Sequence, residues 1–228
     1  MQFNSLAYIL FLPVVALLYF LLPVKAKNPW LLVASYFFYM NWNAVYALLM
    51  LASTVMTYVC GLVIGKAKTQ NGKKWAVGIC FAVNLGILFF FKYFHFASDT
   101  VRELARVLFT VDLARPTLEV LLPVGISFYT FQALGYTVDV YRKKLEPVRN
   151  FFQYALFVSF FPQLVAGPIE RSTHLLDQFS CTYRFDFERM RAGVLLIGWG
   201  LFKKMVVADR LAIVTNQVYG DIRDRKSV

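Results

Sequence analysis

The sequence has 228 residues, of which 59% are hydrophobic, 18% aromatic and only 16% charged, with a mean hydropathy of +0.56 and a formal net charge of +11. A soluble domain carries roughly 25% charged and about 45–50% apolar residues, so a water-soluble globule, a disordered chain, a collagen and a coiled coil are all excluded. Three scattered cysteines, Cys60, Cys80 and Cys181, supply neither a disulfide framework nor a metal-ligand spacing, so no metal site is expected.

An integral membrane protein remains, and the basic charge agrees with it, because membrane proteins keep Lys and Arg in cytoplasmic loops. Nucleic acid is not the expected partner: the basic residues lie between apolar stretches, not on one continuous face. A basic cytoplasmic face would also attract an anionic donor, such as a coenzyme or an acidic carrier protein.

In chain order, the start has no basic segment and no small-residue cleavage site, so no signal peptide is read. Leu6 to Val24 is an uncharged stretch followed by Lys25 and Lys27, which predicts a first span with its N-terminus outside. Asn28 to Gly65 holds no charge over 38 residues, too long for one ~30 Å crossing. Asn41-Trp42-Asn43 is the predicted turn, giving spans at Pro29–Met40 and Ala44–Ile64, with Pro29 in a first helical turn. Lys66 to Lys74 reads as a basic loop turning at Asn71-Gly72. Trp75 to Phe91 is the next span, with Lys92 and His95 at the interface. Ser98 to Leu113 then reads as an amphipathic surface helix, opened by a capping box at Thr100-x-x-Glu103.

Val120–Val138 and Asn150–Ile169 are uncharged but interrupted, the first by Pro123 and Gly125, the second by Pro162, Gly167 and Pro168. Broken helices of this kind border binding sites in some membrane proteins, and are plain proline kinks in others. Ala192–Phe202 is a short last span, or runs into an interfacial helix with Met205–Ala208. With the N-terminus outside, loops 23–28, 66–74 and 139–149 hold ten Lys and Arg, against three in the outer segments, which supports that orientation. The expected fold class is all-α: a polytopic helical transmembrane protein with broken or re-entrant helices and one interfacial amphipathic helix. No internal repeat and no soluble domain boundary is read.

Polar residues inside spans are the candidates for chemistry. Asn84 suits a hydrogen bond between helices. Tyr129 and Gln132 follow the break at Pro123-Val124-Gly125, and Gln163 follows Pro162; they either line a polar tunnel or satisfy backbone opened by the prolines. Asp139 and Arg142 are spaced to pair with each other. Glu170-Arg171 follows Gly167-Pro168, where the arginine is placed to take a phosphate or carboxylate, or to form a solvated pair. His95 ends an aromatic run, and His174 sits in a polar loop with no orienting partner evident in sequence.

Three segments carry a resemblance: Leu121–Arg142 (LLPVGISFYTFQALGYTVDVYR), Phe157–Arg171 (FVSFFPQLVAGPIER) and Gly200–Ala212 (GLFKKMVVADRLA). They resemble successive motifs of the membrane-bound O-acyltransferase family, and within it the AlgI-like, alginate O-acetylation branch, with D-alanyl transferases of the DltB type as more distant relatives. Met1–Pro23 and Asn28–Asn43 also read like that branch, so the resemblance covers about residues 1–220. It implies a helical fold with a tunnel joining the two sides of a bacterial inner membrane. It further implies transfer of an acyl group, acetyl in this branch, from a cytoplasmic thioester donor to hydroxyls of an extracytoplasmic polysaccharide. The implied partners are the lipid bilayer, an acyl-CoA or acyl carrier as co-substrate, and polysaccharide-modification proteins outside; no bound cofactor is implied.

Members of that branch run to about twice this length, and their catalytic histidine lies in the second half, within motifs this sequence lacks. No catalytic residue is therefore expected among these residues, and Tyr129, Gln132, Gln163 and Arg171 are the tunnel candidates. Residues 1–220 read as the N-terminal half of such a membrane domain, and 221–228 as a polar tail and truncation point. On that reading the chain alone is inactive. The competing readings are a non-catalytic membrane scaffold and a transporter-like protein.

Overall fold

The computed structural model describes residues 5–109, 122–164, 167 and 170–225, and every regular element among them is helical. The chain divides into two compact units, Met1–Phe20 with Tyr183–Val228, and Leu21–Thr182.

The first unit contains most of α1 (Leu6–Leu21), then α9 (Phe187–Phe202), a π-helical segment (Lys203–Ala208) and α10 (Asp209–Arg225). α1 keeps Pro13 in its interior, as membrane helices often do. α9 begins earlier than the apolar stretch suggests because the Asp186 side chain caps it, accepting from the Arg189 N–H at 3.1 Å. Lys203 and Lys204 do not end the helix; the chain runs on through the π segment into α10. Within this unit the Phe20 and Phe185 rings meet edge to face at 5.5 Å.

The second unit carries the core. α2 (Val24–Met40) begins directly after Pro23, so Lys25 and Lys27 lie in its first turns and no loop separates it from α1. Pro29 therefore falls in the second turn and not the first, a correction that follows from where Pro23 stops the preceding helix. Asn41-Trp42-Asn43 is the turn expected, and the Asn43 side chain caps α3 (Ala44–Lys66) by accepting from the Val45 N–H at 2.9 Å.

α4 (Gln70–Phe109) corrects two expectations at once. It is one helix of 40 residues, roughly 60 Å long. Thr69 caps it, its hydroxyl accepting from the Gly72 N–H at 3.3 Å, so Asn71-Gly72 lies in the first turn and makes no loop turn. Thr100 caps nothing: its hydroxyl donates back to the Phe96 carbonyl at 2.8 Å inside the continuing helix. Charges at Lys92 and His95 do not stop a helix, and no proline or glycine lies between Ile87 and Phe109 to do so. The far end of the expected amphipathic helix, residues 110–113, lies outside the described residues.

α5 (Ile126–Tyr141), α6 (Phe151–Ser159), α7 (Phe161–Leu164) and α8 (Ser172–Ser180) complete the unit. α5 packs against α3 and α4, and α2 lies along α6. The seam is polar as well as apolar: Ser53 donates to Asn84 Oδ1 at 2.6 Å, and Tyr154 donates to Thr57 at 2.8 Å. Asn84 thus bonds between helices as its position in the sequence implies. α3 and the Gln70–Phe94 part of α4 are long and apolar enough to cross a membrane. Their outward faces carry large bare side chains, with Leu48 67% and Trp75 74% exposed, a surface suited to lipid and not to water.

Candidate functional site

Both expected interruptions are present, and they face each other. Gly125 opens α5 at φ 75°, a conformation that favours glycine, and a Cβ there would sit 2.8 Å from the Leu164 carbonyl oxygen. The glycine so brings the start of α5 against the end of α7. Tyr39 of α2 holds the turn by donating to the Val124 carbonyl at 2.9 Å. From there α5 buries Tyr129, Gln132, Ala133, Tyr136 and Val140 on one helical stripe.

The second interruption lies at Phe160, two residues before Pro162, where ψ of 108° ends α6. Pro162 itself sits in the first turn of α7, where a missing N–H costs nothing. The break separates the Phe161 N–H from the Phe157 carbonyl, its partner in an unbroken helix. Both groups are re-satisfied by side chains. Gln132 Nε2 donates to the Phe157 carbonyl at 2.7 Å, and the Phe161 N–H donates to Ser35 Oγ of α2 at 3.3 Å. Of the two roles open to Gln132, its donor therefore serves the opened backbone. Gln132 Nε2 also lies 3.4 Å from Gln163 Oε1, so the two amides form one buried polar seam.

Two cavities flank this seam. One, of about 390 Å³, is lined by Gln132, Asp139, Arg142, Glu170 and Arg171. The other, of about 260 Å³, is lined by Gln163, Glu170, His174 and Gln178. Three of the four nominated residues thus border one region, with Gln132 and Arg171 sharing a cavity and Gln163 in its neighbour. Tyr129 lies one turn before Gln132 and lines neither; its buried hydroxyl has no hydrogen-bond partner among the described residues.

Several local expectations change. Asp139 does not pair with Arg142; it accepts from Ser172 Oγ at 2.5 Å, which docks the first turn of α8 onto α5 and sets a carboxylate at a helix N-terminus. His174 is on α8, not in a loop, and Glu170 Oε2 lies 3.6 Å from its Nδ1. That orienting carboxylate is an i,i+4 neighbour, but the imidazole is 67% exposed, so the pair contributes about 0–1 kcal/mol. His95 lies within α4. Val165, Ala166, Pro168 and Ile169 lie outside the described residues. The sequence does not predict these roles for Ser35, Ser172 and Glu170; of the three, Ser35, a small hydroxyl inside an apolar span, is the one whose setting points to helix-to-helix bonding.

The assembled groups are amides, hydroxyls, the Asp139 carboxylate, the exposed guanidinium groups of Arg142 and Arg171, and a His–Glu pair at the rim. Such a set can hold a carbonyl or a carboxylate by hydrogen bonds. Among the described residues no three His, Cys, Asp or Glu side chains gather as a metal site would need.

Comparison with known proteins gives similarity along nearly the whole chain. A probable alginate O-acetylase AlgI of Azotobacter vinelandii is 38% identical over 224 residues, covering 96% of this chain and 44% of that protein. Its counterpart in Pseudomonas aeruginosa is 37% identical, over 96% of this chain and 42% of the relative. A peptidoglycan O-acetyltransferase of Helicobacter pylori is 34% identical, over 92% of this chain and 45% of the relative. The chain spans under half the length of these curated relatives. No family model matches it, and no solved structure matches it significantly.

Proposed function

By sequence this chain belongs with the AlgI-like membrane-bound O-acyltransferases, and on that premise we propose that it forms part of a membrane O-acetyltransferase. The acetyl group comes from a thioester on the cytoplasmic side, acyl-CoA or an acyl carrier, and goes to hydroxyls of an extracytoplasmic polysaccharide. The observation that carries this reading is the similarity over 96% of the chain to proteins named for O-acetylation of alginate, joined by one named for peptidoglycan. What those names share is transfer to a sugar hydroxyl, so that is the substrate class proposed here.

The amide seam supports the reading from the structural side. Two helix breaks meet between two cavities, and the polar groups there leave Arg171 exposed at the edge of one of them. In this reading that region borders the acyl passage in the bacterial inner membrane, with Gln132 fixing its wall and Arg171 at its mouth. Proton abstraction from the sugar hydroxyl is assigned, on the family resemblance, to a histidine outside these 228 residues; His174 stands exposed with only a surface carboxylate beside it.

A chimera tests this. The matching segment of the Azotobacter vinelandii relative is replaced by this chain, and acetyl incorporation into alginate is measured beside the 228-residue chain alone. The expected result is transfer by the chimera and none by the chain. Turnover by the chain alone that disappears with His174→Ala would overturn the assignment of the base, and a folded, inserted chimera that transfers nothing would overturn the reading itself.

A further inference from the structure

The junction between the end of α3 and the start of α4 meets the segment after α5 at one end of the second unit, and between them lies a cleft of about 810 Å³. Its lining includes Lys66, Lys73, Lys143 and Arg149 against a single carboxylate, Glu146. None of these cations forms an ion pair among the described residues. Beneath them the cleft is apolar, with Tyr58, Leu62, Ile64 and Leu145. Four like charges gathered around one concavity repel one another unless an anion sits among them.

The backbone around the cleft is held in place. Tyr58 donates to the Arg149 carbonyl at 2.5 Å, and the Val148 N–H donates to the Tyr136 hydroxyl at 3.0 Å. Gly65 lets the segment lie against α3, since a Cβ there would stand 2.3 Å from Pro147 Cγ. α5 ends in a Schellman turn, with the Lys143 N–H on the Val140 carbonyl at 3.0 Å and the Lys144 N–H on the Asp139 carbonyl at 2.9 Å. The left-handed residue of that turn is ordinarily glycine, yet here it is Lys143 at φ 57°, the only positive-φ residue other than glycine among those described. A lysine is thus kept at the cleft in a backbone position it does not favour, a pattern associated with binding sites.

We propose that this cleft binds a phosphate ester joined to an uncharged chain. Lys66, Lys73, Lys143 and Arg149 take the phosphate oxygens, and the chain lies along Tyr58, Leu62 and Leu145. Two sources carry this chemistry: the headgroup of an anionic phospholipid, and the phosphate arm of a soluble thioester donor. The second source rests on the acetyl-transfer reading above, whereas binding of the phosphate does not.

The test uses the full chain in nanodiscs of phosphatidylcholine, titrated by calorimetry with coenzyme A in one arm and dioctanoyl phosphatidylglycerol in the other. Binding in either arm is expected to weaken about tenfold in Lys66→Gln and in Lys143→Gly, as loss of one charge-assisted bond implies. Lys143→Gly is expected to raise the melting temperature while it weakens binding, because glycine suits the turn; a misfolded variant would lower both. The paired change Lys68→Gln/Lys74→Gln, at the same junction but off the cleft, should alter affinity less than about twofold. Binding confined to one arm identifies the source. Absence of binding in both arms, or an equal loss in the off-cleft pair, overturns the proposal. A chimera that transfers acetyl groups while the cleft binds neither probe would overturn this site and leave the acetyl-transfer reading standing.

Discussion

Gln132 and Tyr129 lie one turn apart on the same buried stripe, and their polar atoms stand in opposite conditions. The Gln132 amide closes a carbonyl that the break after α6 opens, at 2.7 Å. Replacing it by leucine preserves volume but strands the Phe157 oxygen, at a cost of about 1–3 kcal/mol for an unsatisfied buried acceptor. Gln132→Leu is therefore expected to lower the melting temperature in detergent by several degrees. The Tyr129 hydroxyl, buried with no partner among the described residues, offers no such bond to lose. Tyr129→Phe should leave the melting temperature unchanged or raise it, since burying an unpaired hydroxyl is itself a cost. Equal destabilisation by both substitutions would show that the seam is not arranged as described. If Tyr129→Phe lowers acetyl transfer in the chimera without lowering stability, its hydroxyl faces substrate and is not a packing residue.

Helices in this fold approach closely where side chains are small, and the α3–α5 crossing depends on one glycine. A Cβ at Gly61 would lie 2.7 Å from Tyr136 Cε1, on a tyrosine whose hydroxyl accepts from the Val148 N–H. Gly61→Ala is expected to cost about 1–3 kcal/mol through overpacking. Gly78→Ala on α4, which meets nothing within 4 Å, should be neutral or stabilising, because alanine favours a helix by about 1 kcal/mol. Thermal melts of the two variants side by side check the contrast. The same elements show what a sequence can and cannot disclose. The turn at Asn41–Asn43 and the seam residue Asn84 were legible, because an amide in an apolar run has few other places to go. The boundaries of α4 were not, because Lys92 and the Asn71-Gly72 pair look like punctuation, whereas a helix ends only where its backbone bonds fail or are capped. The break near Pro162 was legible as a break but misplaced, since proline fits a first turn and Phe160 bears the non-helical angle. Gln132 was found as a polar residue at depth, but its partner was a carbonyl 25 positions away, a pairing set by tertiary packing.

At the scale of the whole molecule, the segments 66–74 and 139–149, which the charge count assigns to one side of the membrane, do meet at one end of the second unit around the same cleft. Any arrangement that set them on opposite faces would contradict this geometry, so the charge asymmetry and the packing constrain the chain together. The length of α4 adds a further requirement. Its roughly 60 Å exceeds the ~30 Å hydrocarbon layer about twofold, so if its Gln70 end lies with the basic loops, the Asp99–Arg106 end must stand clear of the opposite surface or tilt steeply. The ion pair between Arg102 and Asp99, at 3.5 Å with the carboxylate 71% exposed, suits the first alternative, because a bare carboxylate is costly in lipid. Cysteine labelling resolves the orientation. In a background with Cys60, Cys80 and Cys181 replaced by serine, Lys68→Cys and Lys144→Cys should resist an impermeant maleimide applied outside spheroplasts, and react once the membrane is opened. Asn41→Cys and Asp99→Cys should react from outside. The reverse pattern would put the N-terminus in the cytoplasm and the phosphate cleft on the far side from any cytoplasmic thioester. Labelling of Asp99→Cys and Lys68→Cys from the same side would mean that α4 does not cross the bilayer at all.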